Sequence, residues 1–151
     1  MLLDSIDRAL ALPDACEQVL GLTISHFSAD SGTLHLLGED GLLHLKAASK
    51  GIPPPLLEII QRIPVGKGMA GLAVERAEPV TACNLQTDTT GDVRPGAKAT
   101  GMQGAIVVPV LAGERAVGAL GIANRHERAF SVEETALLTE IGRRIAAALV
   151  G

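Results

Sequence analysis

A chain of 151 residues, 47% of them hydrophobic, has the size of one domain with a single core. Its net charge of −4 provides no basic field for nucleic-acid phosphates or anionic lipid headgroups, so neither is an expected partner. The two cysteines, Cys16 and Cys83, are too few for a disulfide framework and lack metal-site spacing, and Phe27 and Phe130, the only aromatics, leave little to stack on a flat cofactor. No apolar run reaches the roughly 18 residues of a membrane span, and the acidic start differs from a signal peptide. The expectation is one cytoplasmic domain over 1–151.

Leu2, Leu3, Ile6 and Leu10 recur at helical spacing among Asp4, Asp7 and Arg8 and predict a short amphipathic helix. Cys16, Val19, Leu20, Ile24 and Phe27 continue that spacing and predict a second helix over 13–28, with Pro13 in its first turn. Residues 33–37 and 42–47 flank Gly38-Glu39-Asp40-Gly41 and read as a hairpin. Pro53-Pro54-Pro55 then starts a short helix carrying Leu56, Leu57, Ile59, Ile60 and Ile63, which Pro64 ends.

Gly66-Lys67-Gly68-Met69-Ala70-Gly71 opens another short helix to about Arg76, and residues 79–83 read as a strand. Residues 84–101 are polar and aperiodic, a long connection expected to act as a lid or to lack order. Residues 105–111 and 116–123 are apolar at nearly every position and predict strands covered on both faces, joined by a turn at 112–115. Ser131 and Glu134 form a capping box ahead of a last helix whose stripe is Leu137, Leu138, Ile141, Ile145, Ala148 and Leu149. The order of elements is that of an α+β fold with an antiparallel sheet between helical layers.

The segments 63–71, 104–110 and 117–120, with Phe130-Ser131 leading into Glu133-Glu134, resemble the GAF family in order and spacing. The resemblance implies a GAF/PAS-like fold, with a central antiparallel sheet, the terminal helices on one face, and the short helices and the long loop over a ligand pocket on the other. It implies a sensory or regulatory domain in signal transduction that binds a small molecule and passes its occupancy through the terminal helices to a signalling partner. It names no cofactor, because members take cyclic nucleotides, bilins, haem, oxoacids or small anions.

The expected ligand contacts are Met69 and Leu72 from the roof, Cys83 and Asn84 at the pocket mouth, Thr87, Arg94 and Lys98 from the loop, and Met102. Arg94 and Lys98 suit an anionic ligand, since two cations can clamp an anion with threonine hydroxyls beside them. The glycine-rich segment at 66–71 lacks the spacing of a nucleotide phosphate loop and reads as a tight turn into a helix. Arg125 is expected to pair with Glu133 or Glu134, with Phe130 as a plug at the helix start. His26, His35, His44 and His126 show no metal spacing and read as structural or solvated.

No catalytic constellation is complete. One branch similar in fold reduces free methionine sulfoxide with pocket cysteines, but this chain has Ala70 and Gly101-Met102-Gln103-Gly104 at the corresponding places. Bilin attachment would use Cys83, with Asn84 where a histidine usually follows. A ligand-free dimerisation module is the remaining alternative. A homodimer through the terminal helices is expected, because the last apolar stripe is longer than one sheet face needs. With no output element in the sequence, the chain acts on a separate protein or is part of a longer one.

Overall fold

The computed structural model describes residues 1–82 and 101–150. Helices α1 (Leu2–Leu10) and α2 (Ala15–His26) are followed by strands β1 (Ser31–Leu37) and β2 (Leu42–Ala48). Helix α3 (Pro54–Ile59), strand β3 (Arg62–Pro64), helix α4 (Gly68–Arg76) and strand β4 (Val80–Ala82) come next. Strands β5 (Gly104–Ala112) and β6 (Arg115–Asn124) precede α5 (Val132–Ile145), which continues into a π-helical turn at Ala146–Val150. The strands form one sheet in the order β3-β2-β1-β6-β5-β4, and each described pair is antiparallel.

Alternation along the strands divides the sheet into two apolar faces. Leu34, Ile106, Val108, Val110 and Leu120 point to the side carrying α1, α2 and α5, where they share one core with Ile6, Val19, Leu20, Leu138, Ile141 and Ile145. Burying a side chain of this size contributes about 1.5–3 kcal/mol, so this core holds most of the stability. On the other face Ala105 packs with Met69 and Ala73 of α4, and Ala119 packs with Leu43, Ile63 and Val74. Both faces of β5 and β6 are therefore covered, as their unbroken apolar character requires.

The chain departs from the sequence expectation at Ile63. That residue lies in the edge strand β3, where it pairs with Leu43, and not in the helix that the prolines start. A second feature is a bulge in the β1–β2 pairing. Leu34 opposes Ala47 while His35 opposes Leu45, leaving Lys46 as the extra residue. One inserted residue reverses which face the rest of a strand presents. Leu43 accordingly joins the α4 side and Ala47 the helical side.

The capping box forms as its spacing predicts. The Ser131 hydroxyl accepts the Glu134 N–H at 3.0 Å, and the Glu134 carboxylate accepts the Ser131 N–H at 3.0 Å. The apolar stripe that follows is largely consumed within the chain, for Leu138, Ile141 and Ile145 are all buried against the sheet. The expected loop over 84–101 lies outside the described residues, apart from Gly101.

Candidate functional site

Between the second face of the sheet and the short helices lies a cavity of about 450 Å³. Its floor is Thr33 and His35 of β1, Ala105 and Val107 of β5, and Gly121 of β6, which the alternation of each strand aims the same way. Gly121 keeps the floor low, because a Cβ there would come within 3.1 Å of Val107 Cγ2. The roof is Leu56 and Ile59 of α3, Ile60, Ile63, and the first turn of α4 from Gly68 to Ala70. Asp30, Ser31, Lys50, Lys67 and Arg125 complete the lining.

Two local devices hold the roof. Gly71 lets α4 press against β3: a Cβ there would lie 2.5 Å from the Pro64 carbonyl oxygen, so only glycine fits without displacing backbone. The second device is His35, 2% exposed, whose Nε2 lies 2.9 Å from the Ile60 carbonyl oxygen. A carbonyl only accepts, so Nε2 carries the proton and Nδ1 is left a bare acceptor without a hydrogen-bond partner. Burial pushes the His35 pKa below the usual histidine value, and the bond to Ile60 offsets part of that shift. Helix α3 has no buried side chain of its own.

Helix α4 begins without a side-chain cap at Lys67. Its first bond from this end runs from the Gly71 N–H to the Lys67 carbonyl at 3.1 Å, so the N–H groups of Gly68, Met69 and Ala70 come before the intrahelical ladder. Lys67, Gly68, Met69 and Ala70 all line the cavity. Among the described residues Lys50, Lys67 and Arg125 form no ion pair. The carboxylate of Asp30 accepts the Arg125 backbone N–H at 2.8 Å.

Of the residues expected from sequence, Met69 and Met102 lie on the cavity wall. Leu72 packs against their cluster and is not part of that wall. Cys83, Asn84, Thr87, Arg94 and Lys98 lie outside the described residues. Sequence reasoning missed Thr33, His35, Lys50, Lys67, Arg125 and Gly121. The alternation of Thr33 and His35 in one strand was a usable signal for the floor, whereas the lysines enter only through the three-dimensional arrangement of the connections.

A polar cleft of about 470 Å³ lies at the start of α5 and includes His26, Phe27, His126, Arg128 and Glu134. Here the expected pairing of Arg125 is corrected: Arg128 makes the ion pair, with Nη2 donating to Glu134 Oε2 at 2.6 Å. Its Nη1 donates to the Phe27 carbonyl and to Asn124 Oδ1, both at 2.7 Å, and its guanidinium lies 4.5 Å from the Phe130 ring centre. The Ser131 N–H and then Arg128 hold the Glu134 carboxyl below its usual pKa. These groups satisfy one another, so the cleft reads as a structural clamp on the chain before α5. Its histidines and carboxylates make no metal site, and no cluster of three or more metal-ligating side chains occurs among the described residues.

Cys16 lies in α2, on the helical side of the sheet, and burial raises its thiol pKa. It has neither the position nor the ionisation of a nucleophile for the cavity.

An antiparallel sheet with helices on one face and a roofed aliphatic cavity on the other defines a domain of the α+β class. The chain belongs to the GAF family, whose domain model matches residues 9–150. No curated protein matches the chain. It is similar to the GAF domain from a phosphoenolpyruvate-protein phosphotransferase of Coxiella burnetii, with 23% identity over 99% of this chain and 90% of that one and a TM-score of 0.79. The free methionine-R-sulfoxide reductase of Neisseria meningitidis, solved with its substrate, shares 18% identity over 99% and 86% of the two chains, with a TM-score of 0.80. A domain of a putative two-component sensor histidine kinase from Sinorhizobium meliloti 1021 shares 16% identity over 93% and 91%, with a TM-score of 0.73. At these identities the likeness speaks for the fold.

Proposed function

We propose that this GAF domain is a cytoplasmic, non-catalytic sensory module that takes a small molecule into the cavity and relays its occupancy through the sheet and terminal helices to a signalling partner. The observation that carries this reading is the aliphatic cavity itself, roofed by a helix with no buried side chain. A ligand that fills it would add apolar contacts to Leu56 and Ile59, which line the cavity and are not fully buried by the protein. The relay has a short path: His35 on the floor holds the end of the roof through Ile60, and its neighbour Leu34 belongs to the core under the terminal helices.

A reductase reading has little support. Ala70 and Met102 line the wall without a thiol, and Cys16 is on the other side of the sheet. No helix among the described residues is long and apolar enough to cross a membrane. Thermal denaturation against a panel of small metabolites tests the proposal, because a ligand at about 100 times its Kd stabilises the folded state by about 2.7 kcal/mol. A reproducible rise of the midpoint with one chemical class is expected. A flat response across the panel would leave the domain as a scaffold.

A further inference from the structure

The charged side chains on the described cavity wall, Asp30, Lys50, Lys67 and Arg125, are all solvent-exposed, so they stand at the mouth and not inside. Carboxylates accompany the cations at both ends. Asp30 accepts the Arg125 backbone N–H at one end, and at the other the Glu75 carboxylate lies 3.3 Å from the point where a Cβ on Gly66, the residue before Lys67, would stand. The mouth therefore has mixed charge in water, where an ion pair with a ligand alters affinity by less than about fivefold. A ligand charge carried further in loses its hydration and meets no partner.

The interior wall is hydrocarbon from Leu56, Ile60, Ile63, Met69, Met102 and Val107, and the enclosed volume equals that of about fifteen liquid waters. Water needs several polar partners in such a place, and this wall offers few. Of the polar side chains that border it, Ser31 is engaged with Ser49 at 3.2 Å. His35 offers no usable nitrogen: Nε2 is bonded to Ile60, Nδ1 has almost no accessible surface, and burial favours the neutral ring. Thr33 differs, for its hydroxyl makes no hydrogen bond among the described residues and, unlike His35 Nδ1, is not sealed from the cavity. It stands beside Gly121. A Cβ on that glycine would lie 3.7 Å from Thr33 Oγ1 and 3.1 Å from Val107 Cγ2, so the missing side chain keeps the hydroxyl open to a guest.

We propose that the cavity binds an uncharged aliphatic molecule with a single hydroxyl or carbonyl oxygen, that oxygen at the Thr33 hydroxyl beside Gly121 and the hydrocarbon body under α3. This rests on the ligand-binding reading above and deepens it. A hydroxyl both donates and accepts, so Thr33 serves an alcohol and a ketone alike. One such bond orients a guest that apolar contact holds without direction. A carboxylate or an ammonium group in the same place would give up more hydration than one neutral hydroxyl returns.

The test is titration of the whole chain, its methionine methyls labelled for magnetic resonance, with three probes of one skeleton: trans-4-tert-butylcyclohexanol, trans-4-tert-butylcyclohexanecarboxylate and trans-4-tert-butylcyclohexylammonium. The chain has three methionines, of which Met69 and Met102 lie on the cavity wall and Met1, 96% exposed, is the internal control. The alcohol is expected to shift the Met69 and Met102 signals to saturation and to bind about tenfold tighter than either ion or more. Thr33→Val should weaken it about fivefold, as the loss of one neutral hydrogen bond implies, and Thr33→Ser should restore it. An ion that binds as tightly as the alcohol would overturn the uncharged assignment, and the carboxylate in that role would return the anionic ligand expected from Arg94 and Lys98. Unchanged alcohol binding by Thr33→Val, once circular dichroism has shown that variant folded, would overturn the Thr33 contact. Should none of the three probes move the cavity methionines, this proposal falls; the ligand-binding reading falls with it only if the metabolite panel is flat as well.

Discussion

His35 illustrates how one side chain joins site and stability. Its pKa is lowered in the folded chain, so as the pH falls the unfolded chain takes up the proton first. The contribution of the neutral imidazole is whole above the ordinary histidine value of about 6.5 and is lost as the pH drops towards the depressed folded value. The melting midpoint should therefore decline between about pH 7 and pH 5, and His35→Gln, which keeps a donor for Ile60 but does not titrate, should flatten that limb. Asp40 and Glu134 also have lowered values, but their losses belong to more acidic solution, below about pH 4.5. Arg128 is a second case. Arg128→Met would strand the Phe27 carbonyl and Asn124 Oδ1, an expected loss of about 1–3 kcal/mol by urea denaturation. Arg144, whose partners Asp7 and Glu140 are solvent-exposed, should lose less than Arg128 on the same change.

Among the elements, those with a long period were legible in the sequence. The apolar spacing of Leu2 to Leu10 gave α1 its full span, the Ser131–Glu134 box fixed the start of α5, and the unbroken apolar runs anticipated β5 and β6 with both faces covered. Strand β3 was hidden because Ile59, Ile60 and Ile63 keep a helical spacing, and three residues are too few to show alternation. Its formation depends on the Leu43 backbone, a partner distant in sequence. The bulge opposite Leu34 and His35 escaped for a related reason, since Lys46 leaves no mark in an apolar pattern. The clamp was assigned to Arg125 and not Arg128 because both cations follow β6, and only the turn between them decides which reaches Glu134. Of the candidate site, the methionines were within reach of hydrophobic reasoning. The floor and the cationic ends arise from strands and connections brought together by the sheet order β3-β2-β1-β6-β5-β4.

For the whole molecule, the proposed homodimer now has a narrower basis. Leu138, Ile141 and Ile145 face inwards, which leaves partly exposed Leu137 and Leu149, with Ala148 at the surface, as the part of the stripe available to a second copy. Sedimentation at micromolar concentration is expected to show a dimer that Leu149→Glu dissociates; a monomer at every concentration would remove this surface from the relay. The two faces of the sheet also differ in how firmly they are built. The helical side closes over a continuous core, whereas α3 has no fully buried side chain and is held at its end by a histidine bond to Ile60. Opening α3 thus exposes the half-buried Leu56 and Leu57 but no fully buried side chain. Its amides should trade protons for deuterons with solvent far sooner than those of β5 and β6, through an excursion that leaves the remainder of the molecule folded. A bound guest should slow that exchange at α3 before it alters any other part of the chain, making this segment the earliest reporter of occupancy.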